Sequence, residues 1–386
     1  MKKILLLLVV VFSCLELQAK EVKLFKGFGL DNPMSYQFVR TITQDSYGFM
    51  WFGSHEGLHR FDGYQFVSFH HDSSDQQSLS SDVISKILID SQERLWVATS
   101  GAGLNLFHPQ SRSFTRFTSQ DQKVALSNDV VNVLFEDSRG QLWIGTEHGL
   151  NVLTQVDGEW RIKHIHQVLG DPDSLSHNTV HDIVETSGRQ IWVGTNGGGI
   201  SVFDLDGKFL NTLKLGDLAS STYLNKFVNS LFYGDDGKVW IGTLDNGLIQ
   251  YDIVSREYKH YQSQENDPAS IVSNTIKAMY RDAKGQLWIA TDKGLLIHDK
   301  TNDGFQRYNH SPTNPYSLSN DYILSFFEDD NGMMWIGTFT GVNRWDSTMT
   351  TFSQYSSQTN SVLSNNNITS FAQFSEEQVI LSTYSG

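Results

Sequence analysis

Ten side chains lie in short gaps between apolar runs: His55, Glu56, Glu147, His148, Asn196, Asp245, Asn246, Asp292, Lys293 and Phe339. They offer carboxylates, imidazoles, amides, an ammonium and an aromatic ring, a set suited to hydrogen bonding and stacking on a polar ligand such as an oligosaccharide. Metal binding by His55 and His148 would need further donors converging on one point, and the spacing supplies none, so no metal and no cofactor are expected. The sequence holds no Gly-x-Ser-x-Gly elbow, no His-Glu-x-x-His pair and no phosphate loop. A sialidase-like site would need clustered arginines, yet Arg40, Arg60, Arg281 and Arg344 fall at unrelated positions. Binding is therefore expected here rather than catalysis, with no catalytic residue assigned.

The ten positions recur because the chain repeats. Trp51, Trp96, Trp143, Trp192, Trp240, Trp288 and Trp335 are each followed three residues on by Thr or Ser, at a period near 47. The candidate residues all fall in the gap that follows this motif, and a gap shared by every copy places them on one face. A period of this length with short strands and turn residues predicts a radial array of blades.

Residues 126 to 154 show the unit. A first strand near Val130 to Phe135 enters Asp137-Ser138-Arg139-Gly140, where Asp favours an Asx-turn and Gly a positive φ. A second strand, Gln141 to Thr146, returns through Glu147-His148-Gly149 to a third, and a fourth, outer strand follows, as at Phe114 to Phe117 or Tyr258 to Tyr261. The expected fold is all-β: a seven-bladed β-propeller of four-stranded antiparallel blades. Strand alternation puts Trp143 and Gly145 on one side, so the tryptophans read as packing, and the small residue leaves room for a large side chain from the next blade. The Asp of the first turn recurs as Asp45, Asp90, Asp137, Asp282 and Asp329, with Asp235-Asp236 in the fifth copy and none in the fourth. Leu-Ser-x-Asn/Asp segments precede first strands at Leu79, Leu126, Leu318 and Leu363 and read as local backbone caps.

Composition narrows the partners and the compartment. The net charge is −14, with 43 acidic against 29 scattered basic residues, which disfavours nucleic acid. Residues 1–19 read as a signal peptide: two lysines, an apolar run, then Leu17-Gln18-Ala19. The sole cysteine, Cys14, lies inside it, so no disulfide framework is expected beyond it. The propeller is assigned to residues 20–361, closed either by Val22 to Phe25 or by Phe352 to Tyr355. Residues 362–386 begin an eighth repeat, with Ile380 in the tryptophan slot, and read as the start of a second propeller.

The pattern Asp-x-x-Gly-x-Leu-Trp-Ile-Gly-Thr-x-x-Gly-Leu, with Leu-Ser-Asn-Asp about 17 residues before the Trp, resembles the two-component regulator propeller repeat, over residues 22 to 386. That resemblance implies the extracytoplasmic sensor of a signalling protein of histidine kinase or diguanylate cyclase type, anchored in the inner membrane by a segment beyond this sequence. The expected location is then the periplasm, and the expected partners are a small polar ligand and a second copy of the chain in a homodimer. The alternatives are an extracytoplasmic glycan hydrolase or lyase and a protein-interaction scaffold.

Overall fold

The computed structural model describes residues 23–27, 34, 36–213, 227–234, 236–346, 368–373 and 379–383. Two units are distinct, one spanning Leu24–Ser347 and the other containing the last two strands. In the larger unit the hydrophobic runs form seven four-stranded antiparallel sheets. Blade three, for example, is built from Val131–Glu136, Leu142–Thr146, Gly149–Val156 and Glu159–Ile165. The first strand of every blade packs against the first strand of the next, and Ile323–Glu328 of blade seven packs against Val39–Gln44 of blade one. The sheets therefore close into a seven-bladed propeller.

The N-terminal segment closes the ring. Lys26–Gly27 is the outer strand of blade seven and pairs with Gly341–Asp346, Lys26 opposite Arg344 and Gly27 opposite Asn343. Pairing thus begins just past the segment expected from sequence, because Phe25 turns inward to pack edge-on against Tyr308, with ring centroids 5.6 Å apart. Val22 and the competing segment Phe352 to Tyr355 lie outside the described residues.

Each tryptophan is a wedge between blades. Trp96 of blade two packs with Leu134, Leu142, Ile144 and Leu153 of blade three, and Trp335 of blade seven packs with Met50, Phe52 and Phe61 of blade one. All seven are at most 4 % exposed, and losing such a ring from a core costs about 3–5 kcal/mol. The glycine two residues on has its space taken by β-branched side chains rather than by a large ring. A Cβ on Gly145 would lie 2.5 Å from Cγ1 of Val133 in its own blade and 2.5 Å from Cγ1 of Val180 in the next. The blades can approach this closely only over a bare Cα.

The turn aspartates do two jobs. In blade three, Oδ1 of Asp137 accepts the backbone N–H groups of Arg139 and Gln141, which fixes the turn, while Oδ2 accepts the Trp143 indole N–H at 2.7 Å. The same indole bond measures 2.8 Å at Asp45, 2.7 Å at Asp90, 2.9 Å at Asp282 and 2.8 Å at Asp329. In blades four and five the residue six before the tryptophan is Thr186 or Gly234, and the buried Trp192 and Trp240 indole nitrogens have no partner among the described residues. Asp235, read with Asp236 as the fifth copy, lies outside the described residues.

On that same face the last residue of a first strand caps the turn of the preceding blade. Glu136 accepts from the backbone and hydroxyl of Ser91, Glu185 does the same for Ser138, and Gln44 of blade one accepts from Asp330 N of blade seven. On the opposite face the Leu-Ser segments bury their leucines, and Asn105, Asn151 and Asn343 of the third strands accept from the backbone N–H of Ser80, Ser127 and Ser319.

Blade one has His59 in that asparagine column. Its ring nitrogens lie 3.2 Å from Ser54 Oγ and 2.7 Å from Ser68 Oγ, and its pKa is pushed down to about 4, chiefly by desolvation and then by the neighbouring His70, against the opposing pull of Glu56 and Asp82.

In the smaller unit, Ile368–Gln373 and Val379–Thr383 pair antiparallel, with Ile380 opposite Ala372. The register, including a one-residue shift after Ile368, is that of the first two strands of a blade, and it puts Ile380 at the tryptophan position.

Two outcomes follow from these contacts. Thr186→Asp supplies the missing acceptor to Trp192 and is expected to raise the unfolding free energy by about 1 kcal/mol in urea titration; a lower stability would show that burying this carboxylate outweighs the bond. For His59, the unfolded chain binds a proton near pH 6.5 and the folded chain only near pH 4, so stability is full above about 6.5 and falls as pH drops toward about 4. The whole span is worth about 3 kcal/mol. Urea titrations at about pH 7 and about pH 5 should show a smaller loss in His59→Asn than in the unaltered protein, and equal losses would refute this assignment.

Candidate functional site

The loops after the second strands and the loops between blades are tied to one another by backbone bonds. The first residue past the second strand donates its N–H to the residue before the first strand of its own blade: Ser100 to Val83 at 2.9 Å, Glu147 to Val130 at 3.1 Å, Asn196 to Thr179 at 2.9 Å and Phe339 to Tyr322 at 3.0 Å. The hairpin glycine then reaches the next inter-blade loop, Gly149 N to Asn178 O and Gly341 N to Gln37 O, both at 2.8 Å. Both sets of loops consequently share one face around the channel, as the repeat phase predicts.

Within the first strands the ladder slips by one residue, so one residue of each is left as a bulge. The bulged residues are Arg40, Ser85, Asn132, His181, Asn229, Lys277 and Leu324. They are of six residue types over the seven blades and neighbour the loop residues: Asn132 Nδ2 donates to Glu147 Oε1 at 2.9 Å, and Arg40 Nη1 lies 3.5 Å from Ser100 Oγ.

The densest group of varied side chains lies where blade seven meets blade one. Phe38 stacks on His55 at 4.1 Å between ring centroids and meets Phe339 edge-on at 5.1 Å, and Phe339 meets Tyr322 at 5.9 Å. Cations border these rings, with Arg40 5.9 Å from the Phe38 centroid and Lys277 5.3 Å from that of Tyr322. Phe339 is 50 % exposed, so part of its ring is open to solvent. Desolvation and then the charge of Arg40 lower the His55 pKa, so its imidazole favours the neutral, stacking form.

Of the ten residues expected from sequence, His55 and Phe339 come together through Phe38. Glu56 is exposed and accepts from Gln37 Nε2. Glu147 faces Asn132, and His148 lies beside His166 with ring centroids 6.3 Å apart. Asn196 is half-buried and bonded through its backbone. Asp245 is exposed, Asp292 accepts from the Ser273 hydroxyl, and Lys293 is exposed. Asn246 is instead buried, 4 % exposed, its backbone carbonyl accepting from His260 Nε2 at 2.7 Å and its side-chain Oδ1 from Gln262 Nε2 at 3.0 Å. Among the described residues no group of three His, Cys, Asp or Glu is placed to hold a metal ion.

Sequence reasoning missed Phe38 and Tyr322, which end inter-blade loops, and Arg40, His181 and Lys277 at the bulges. The available signal was variation between copies at the second residue of the first strand.

The repeat model described as "Two component regulator propeller" matches residues 33–56, 78–101, 125–148, 174–197, 270–293 and 317–340. The window around Trp240 is not among them. The extracellular domain of a hybrid two-component system from B. thetaiotaomicron is similar, with 25 % identity and a TM-score of 0.77 over 94 % of this chain and 47 % of that one. A second such domain from the same organism matches at 25 % identity and TM-score 0.67, over 84 % of this chain and 40 % of that one. A histidine kinase, P4, of Formosa agariphila is 26 % identical over 90 residues, 23 % of this chain and 7 % of its own length. The chain thus spans less than half the length of these proteins. Six of its seven blades carry two-component regulator propeller repeats.

Proposed function

We propose that this chain is the periplasmic, ligand-sensing and non-catalytic part of a transmembrane two-component signalling protein, exported by residues 1–19. The observation that carries this reading is the 25 % identity, over 94 % of this chain, to the extracellular domain of a hybrid two-component system. The match to a histidine kinase favours that output over a diguanylate cyclase. The ligand-binding face is the channel mouth, where the packing and turn residues are constant between blades and the mouth residues are not. The ligand is a small polar molecule such as an oligosaccharide, stacked on the rings of Phe339 and Phe38. Its binding changes the geometry of the propeller or its homodimer and so biases an output domain, which requires unequal affinity for the two states.

Two measurements test this function. Fused to alkaline phosphatase, which is active only after export, residues 1–386 should give an active enzyme in a bacterial host, and an inactive fusion would refute the location. In a melting screen of mono- and oligosaccharides, a ligand of the mouth should raise the melting temperature by a few degrees at about 100 times its dissociation constant. That shift should vanish in Phe339→Ala; a well-folded protein that responds to none of them counts for a scaffold instead.

A further inference from the structure

The bulge position in the first strand separates six of the seven blades into two kinds, the seventh carrying Leu324. In blades two, three and five it carries Ser85, Asn132 and Asn229, each donating to a backbone carbonyl of the next blade, at Val131, Val180 and Ile276. In blades one, four and six it carries Arg40, His181 and Lys277. Arg40 and Lys277 form no ion pair among the described residues, and their polar ends lie beside aromatic faces and the Ser100 hydroxyl.

The three basic groups share one space. His181 is held below its ordinary pKa chiefly by desolvation; the carboxylate of Glu147 pulls the other way, and the positive charges of Lys277, His177 and Arg40 push it further down. Desolvation also lowers the pKa of Arg40. Glu147 offsets one of these charges; the excess of positive charge left by Arg40 and Lys277 in a partly desolvated mouth is unfavourable, and a bound anion relieves it. Beside these cations stand the flat faces of Phe38, Phe339 and Tyr322, linked by ring contacts of 5.1 and 5.9 Å. Cations next to an exposed ring fit a molecule with a charged end and a flat body.

We infer that the mouth binds a carboxylate carried on a six-membered ring, the carboxylate held by Arg40 and Lys277 and the ring lying on Phe339 and Phe38, an inference that rests on the mouth being the ligand-binding face. A sugar acid and an aromatic acid share this chemistry. Titration calorimetry with glucuronate and glucose, and with benzoate and benzyl alcohol, separates the two sources and the role of charge. At least one acid should bind about tenfold or more tightly than its neutral counterpart, and Arg40→Gln and Lys277→Gln should each weaken it by about tenfold. Circular dichroism and the melting temperature confirm that the variants are folded. The anion site is overturned if neither acid binds the folded protein, if the neutral partner binds equally well, or if both substitutions leave affinity unchanged. A neutral sugar that binds and survives both substitutions would overturn it while leaving the sensor function standing.

Discussion

The contact on which the rest of the propeller leans is a tryptophan ring wedged between blades, its indole N–H accepted in five of the seven by a turn carboxylate. Wedging a tryptophan between blades removes a large apolar surface from water but carries an N–H donor with it, and an unpaired buried donor costs about 1–3 kcal/mol. Asp137 answers that donor with one oxygen while the other fixes the turn that starts the second strand. One side chain therefore couples the shape of a hairpin to the seam between blades. Blades four and five keep the ring without the carboxylate, and Trp192 and Trp240 remain 4 % and 1 % exposed. Packing is thus the larger effect, and the hydrogen bond refines it.

Once the wedge is placed, the neighbouring positions have little freedom. The bare Cα two residues on must accept Val180, Val228 or Ile276 from the next blade, and the Thr side chain at the strand end bonds the hairpin glycine, as Thr146 Oγ1 does to Gly149 O at 2.8 Å. The asparagine column and the buried leucines then anchor the inter-blade loops. These constraints stop at the loop tips and the bulges, whose side chains can change without disturbing a seam. Binding chemistry can vary there because stability has been placed elsewhere.

That division explains what the sequence revealed. Trp, Gly, turn Asp and hairpin Gly recur with the period because each packs or bonds identically in every blade, so the architecture was legible from one chain. The indole bond was not, since the pairing of Asp137 with Trp143 joins residues on opposite arms of a hairpin, and the turn alone accounts for an Asp there. The bulges were hidden for a related reason: strict alternation assigns each first-strand residue a side, and one extra residue at Arg40 or Lys277 breaks the alternation. Asn246 shows the opposite error, a loop residue that reads as solvent-facing yet is buried, its side-chain oxygen held by Gln262 and its backbone carbonyl by His260.

The location of the aromatic cluster gives the mouth a mechanical meaning. It spans the junction of blades seven and one, beside the blade that the N-terminal strand Lys26–Gly27 completes. Phe38 and Arg40 belong to one side of that junction and Tyr322 and Phe339 to the other, yet their contacts bridge it. A molecule touching both sides has its full set of contacts only while the junction is closed. Its affinity for the closed ring must then exceed that for any opened form, which is the inequality that a change of population upon binding requires.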